Sequence, residues 1–166
     1  MKNSVNSRIA FLAIGVVTGM CLSSIWPHQP AFAVATDRDS RFAMATCHVG
    51  SSSNAEGVFV LDFLTGQLTG GIINARSGKF QYTYSRNVAA DFNIDANAEP
   101  HYAIVTGQAT LPNAGRIQNA QAVVYVAELS SGRVAAYAFP YQQSNTAAAA
   151  IAMTPLDSFQ FREASN

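Results

Sequence analysis

The stretch VFVLDFLTGQLTGGIIN, residues 58–74, reads as a β-hairpin and decides the class of the fold. Phe59, Leu61 and Phe63 share one face and Val58, Val60 and Leu64 the other, the alternation of a strand. Asp62 opens a four-residue turn ending at Thr65, and Gly66 follows where such a turn needs a left-handed residue before the return strand. A second copy, VVYVAELSSGRVAAYAFP, occupies residues 123–140 and uses Glu128, Ser131 and Gly132 in the same places. An Asp carboxylate reaches back to turn amides more readily than the longer Glu, so the second turn is expected to be the looser one.

Outward from each hairpin the pattern continues. Upstream of the first, FAMATCHV (42–49) is apolar on both faces, which marks an interior strand, and GSSSNAEG (50–57) reads as a connecting loop. Downstream, a turn at Ser77-Gly78 leads into FQYTY (80–84), where Phe80, Tyr82 and Tyr84 alternate with Gln81 and Thr83 and so predict one aromatic face. The second half restarts at HYAIVTGQA (101–109), Tyr102 falling on Phe42, and ends with LDSFQFRE (156–163), where Phe159 and Phe161 flank Gln160. Each half therefore carries four strands in one order, residues 41–85 and 101–162, joined by a loop over 86–100. The expected fold is all-β: two four-stranded antiparallel repeats forming a small sandwich or barrel.

The hairpin VFVLDFLTGQL resembles the outer hairpin of blade repeats in β-propellers of the quinoprotein type, which read apolar-x-apolar-Asp-x-x-Thr-Gly-x-x. The likeness covers about a dozen positions in each half. Where such repeats close on a Trp, this chain has Gly70 and Ala136. The resemblance implies a blade-like sheet and nothing about a quinone cofactor. It sets up an alternative architecture, two propeller-like blades per chain completed by oligomerisation.

The front of the chain has the order of an export signal. Lys2 and Arg8 precede an uncharged segment over 9–26, and Ala31-Phe32-Ala33 supplies a small-x-small cleavage site. The expectation is a signal peptide over 1–33, an uncleaved N-terminal anchor being the alternative, then a flexible lead-in over 34–40 and one β domain over 41–166. Thr18-Gly19-Met20 before Cys21 does not match a lipoprotein box. After Ala33 there remain ten acidic and eight basic residues and no basic run, which argues against nucleic acid and anionic membrane surfaces as partners; membrane association would come only through an uncleaved leader. Only 12% of the whole chain is charged, and so bland a surface points to a subunit contact.

Three groups could carry chemistry. Asp91, Asn93, Asp95, Asn97 and Glu99 place oxygen ligands at every second position, and Asp-x-Asn-x-Asp is how helical calcium loops begin, so calcium is the one cofactor to consider. Ala96 stands where such loops place Gly and Tyr102 where they place Glu; on an extended strand the five would form one solvated row. Cys47, His48 and His101 are the elements of a nucleophile or metal site, but Cys47 and His48 are adjacent and a strand turns them to opposite faces. Cys47 shares a face with Ala43, Ala45 and Val49 and is expected to be a buried thiol. Phe80, Tyr82, Tyr84 and Tyr141 form the candidate ligand platform, for a glycan or a partner chain.

With no catalytic motif in view, the expected function is that of an exported, non-enzymatic binding module that associates with itself or with an envelope protein or glycan. A calcium-dependent binding domain over 91–99 and an envelope enzyme using Cys47, His48 or His101 are the alternatives.

Overall fold

The computed structural model describes residues 11, 14–20, 36–50, 53–95, 98–113, 118–141 and 150–163. The chain divides into two compact units, Met1–Phe32 and Ala33–Asn166. In the first, residues 14–20 are helical and exposed, and no helix among the described residues is long and apolar enough to cross a membrane.

The second unit is all-β, and its strands form two sheets. Sheet A contains β1 (Thr36–Arg38), β2 (Phe42–Gly50), β3 (Ser53–Asp62), β4 (Gln67–Asn74), β5 (Lys79–Asn87) and β9 (Ile151–Ala152), adjacent in that order. Sheet B has the order β10-β8-β7-β6, built from β6 (Tyr102–Gln108), β7 (Ala122–Glu128), β8 (Arg133–Ala138) and β10 (Thr154–Gln160). Each sheet thus holds a four-stranded antiparallel meander, β2-β3-β4-β5 and β6-β7-β8-β10. The sheets pack face to face without closing into a barrel. Along one side the first strands of the two meanders meet: Thr106 Oγ1 on β6 donates to the Thr46 carbonyl on β2 at 2.5 Å, and the Gln121 amide donates to the Val49 carbonyl at 2.8 Å. Along the other side β9 pairs parallel with β5, the chain crosses at buried Met153, and β10 pairs antiparallel with β8.

Three segments differ from the reading of the sequence. The lead-in is partly structured, since Thr36–Arg38 pairs antiparallel with β2. The loop over 50–57 shrinks, because β3 already starts at Ser53 and Gly50 pairs with Ser53. The 86–100 connection begins with a short helix, Val88–Phe92, in place of an extended row. Asn87 caps it, its side chain accepting from the Ala90 amide, and Asn93 ends it in the left-handed conformation at φ 55°.

The two principal turns are built as expected and differ in an unexpected way. Gly66 (φ 64°) and Gly132 (φ 72°) close four-residue turns by donating to the carbonyls of Asp62 and Glu128 at 2.9 and 3.0 Å. Gly66 also accepts from the Val88 amide at 2.8 Å, and a β-carbon there would press on the backbone of Ala89. Positive φ and close approach together make it glycine. Asp62 accepts one turn amide, that of Leu64. Glu128, expected to hold its turn more loosely, accepts three amides, from Ser131 at 2.6 Å, Ser130 at 3.0 Å and His101 at 3.4 Å. The longer side chain turns inward under its own turn, where it is only 1% exposed, and reaches amides that an Asp could not.

The core seam is aromatic. Phe59 is fully buried with its ring centroid 4.8 Å from Phe139, and Tyr84 closes the group at 5.2 Å from Phe139. Gly70, opposite Phe59 across the β3–β4 ladder, leaves the space that the Phe59 ring fills.

Candidate interaction surface

Of the four aromatic residues read as one platform, three turn inward and one outward. Tyr82 and Tyr84 point into the core, Tyr84 with no exposed surface and its hydroxyl donating to the Pro140 carbonyl at 2.7 Å. Burial pushes the Tyr84 hydroxyl's pKa well up. Tyr141 is half-buried and meets Tyr82 edge-on at 5.8 Å. Phe80 alone faces out, at 61% exposure. The expectation that Phe80, Tyr82 and Tyr84 share a face is corrected by a bulge: Ile72 pairs with Tyr82 but Ile73 pairs with Phe80, so Gln81 is the extra residue and the alternation inverts there. Phe80 lies over Gly71 on the outer face of sheet A and lines a shallow, mostly apolar groove of about 210 Å³ with Thr46, Glu56, Gly57, Val58 and Ile73.

The oxygen-bearing row also comes apart. The helix puts Asp91 against Arg86, with contacts of 2.5 and 2.8 Å, and this ion pair holds the Arg86 guanidinium above its ordinary pKa. Asn93 is the helix C-cap, Asp95 and Glu99 are exposed, and Asn97 lies outside the described residues. Among the described residues no three His, Cys, Asp or Glu side chains converge as a metal site. Over Asp91 and Asn93 the extended, solvated row expected of Asp91, Asn93, Asp95, Asn97 and Glu99 is therefore replaced by an ion pair and a cap.

Cys47 is buried as expected, on the inner face opposite Gly57, while His48 lies on the outer face and His101 is exposed beside the Glu128 turn. Burial pushes the Cys47 thiol up to about 12, so essentially no thiolate exists near neutral pH. In the full chain carrying Cys21→Ser, a thiol reagent at pH 8 is expected to label Cys47 only after denaturation. Stoichiometric labelling of the native protein within minutes would contradict this burial.

What remains for contact is the outer face of each sheet. On sheet A, Met44, Val58, Val60, Ile73 and Phe80 form an apolar strip; Asp37 on β1 pairs beside Met44, and Glu56 and Asp62 flank the Val58 and Val60 pair along β3. On sheet B, Val105, Tyr125, Ala127, Val134, Ala136 and Phe159 share one face, with Val105 52% and Phe159 62% exposed. The one charged residue at this face's ladder positions is Asp157. An exposed antiparallel face ordinarily alternates polar side chains outward.

The chain matches no protein-family model, no curated protein and no solved structure. Its function has to be argued from these faces.

The sequence missed the sheet B face because residues 123–126, Val-Val-Tyr-Val, are apolar throughout, so alternation could not say which side turns outward.

Proposed function

We propose that the chain is an exported, non-enzymatic, β-rich interaction module that works by contact through the outer faces of its two sheets, with another copy of itself or with an envelope protein or glycan. One observation carries the reading: a four-stranded sheet face exposes Val105, Tyr125 and Phe159 with a single charged neighbour, Asp157. Large exposed apolar patches of this kind mark interaction sites. Export is supported by the leader pattern, with Lys2 and Arg8 ahead of the uncharged segment and Ala31-Phe32-Ala33 behind it. Contact needs no nucleophile, which suits the buried, protonated Cys47.

Hydroxyl-radical footprinting tests the reading on Met44, Phe80, Tyr125 and Phe159, in dilute buffer, at high protein concentration and in an envelope extract of the producing cells. Labelling should be strong in dilute buffer and fall severalfold in at least one of the other two conditions. Equal labelling in all three would sink the contact reading.

A further inference from the structure

The two sheets use the same ladder register but turn opposite faces to the core. Phe42 pairs with Asp62 and Asp62 with Gln67 in sheet A; Tyr102 pairs with Glu128 and Glu128 with Arg133 in sheet B. The equivalent positions are therefore Asp62 and Glu128, Val60 and Val126, Phe59 and Tyr125. In sheet A the Phe59 and Leu61 side is buried; in sheet B the buried side is Val124 and Val126, the counterparts of Val58 and Val60. The intramolecular packing is consequently front to back. Two sheets stacked in this way turn one back and one front away from the core, the Val58 and Val60 face of sheet A and the Tyr125 and Ala127 face of sheet B, the latter covered only at its Val123 and Ala138 end. Those two faces have the same relation to each other as the pair already packed in the core.

We infer that the outer face of sheet B docks against the outer face of sheet A on a second copy of this chain, head to tail, and that repetition of this contact closes a ring. The inference rests on the contact reading above and names its partner. Three further observations support it. Phe59 anchors the intramolecular seam, and its counterpart Tyr125 is an aromatic residue held half-exposed on the face that would make the intermolecular one. Neither face carries a charge at its centre. The sheets also touch directly through their first strands, β2 and β6, whereas β10, the fourth strand of sheet B, is exposed along its whole length. A heterologous contact of one face with a different face either closes into a ring or grows without end.

Area decides between an isolated pair and a ring. Four strands about 4.8 Å apart and about seven residues long give a planar footprint of roughly 450 Å², against the ~800 Å² per partner of a standard stable complex. One contact is thus weak. In a closed ring every copy makes two, and the last contact forms without further loss of translational freedom. Propeller-like rings hold about four to eight sheets, so two sheets per copy give assemblies of about two to four copies.

Light scattering after size exclusion, on the full chain under reducing conditions, tests this with three substitutions at exposed positions: Met44→Glu on the sheet A face, Val105→Glu on the sheet B face, and Leu64→Glu at a turn tip belonging to neither face. The wild type and Leu64→Glu are expected at the same small multiple of 17.6 kDa, and Met44→Glu and Val105→Glu at the monomer mass. Thermal melts confirm that each variant is folded. A wild type that stays monomeric at the highest soluble concentration overturns the ring, while the footprint in envelope extract still judges the contact reading separately. If only Val105→Glu, or only Met44→Glu, dissociates the assembly, the contact joins like faces and head-to-tail docking is wrong. An assembly that survives both uses some other surface, which also overturns the inference.

Discussion

Phe59→Ala is expected to cost about 3–5 kcal/mol of folding stability, the largest loss of any single truncation in this chain. Phe59 has no exposed surface, lies between Tyr84 and Phe139, and joins sheet A to the chain leaving sheet B. Removing the ring leaves a cavity that two other aromatic rings, one hydrogen-bonded to the Pro140 carbonyl, cannot collapse to fill. In a domain of this size, 1 kcal/mol moves the melting temperature by about 2–4 °C. Calorimetry should therefore show a fall of roughly 6–20 °C. The same geometry yields a double-mutant cycle. Gly70→Ala alone puts a methyl group into the Phe59 ring and should cost about 1–3 kcal/mol, but added to Phe59→Ala the methyl enters vacated space. The double variant should be less destabilised than the sum, and strict additivity would show that the ring does not sit where described.

Glu128 supplies the second large effect, and it depends on pH. Burial raises the carboxyl's pKa more than any other single influence, but the Ser131 amide and hydroxyl and the amides of Ser130 and His101 together outweigh it, and the folded value lies below the ordinary 4.5. A carboxyl depressed in the folded state contributes stability that is fully present above its unfolded pKa and disappears as pH falls through the folded one. At neutral pH, Glu128→Ala should cost about 3 kcal/mol, since three amides lose a charged acceptor. The difference in stability between wild type and Glu128→Gln should shrink as pH drops from 5 through the acid range. Urea melts at a series of pH values measure it, and a difference independent of pH would show that the ionised carboxylate is not what holds the turn.

How far the sequence could be read depended on the range of the determining interaction. Hairpins are local, so Asp62 with Gly66 and Glu128 with Gly132 announced both turns, and two such units in one order announced two matched sheets. Features set at longer range were hidden. Gln81 bulges because Ile73 must pair with Phe80, and that register belongs to the partner strand. The inward turn of Glu128 depends on the His101 amide, 27 residues away. A five-residue helix has no period to recognise, though Asn87 and Asn93 were visible as residues suited to its two caps. Asp91 could be seen as a ligand type, but its partner Arg86 came from the strand before it. The opposite facing of the two sheets could not be read at all, because Val123 to Val126 offer no polar side to turn outward.

The crossing at Met153 governs when this protein can finish folding. Residues 36–87 can form sheet A's meander from near neighbours, and each later hairpin is equally local. Joining the halves is different: Met153 donates its amide to the Ser85 carbonyl, and the next seven residues supply the fourth strand of the other meander. Without residues 151–160, β5 and β8 each lack a neighbour. Closure along this side thus waits for β9 and β10, which work as a latch. Proteins dominated by such distant pairings fold slowly, so the step that joins β5 to β8 through Met153 is expected to be the slow one.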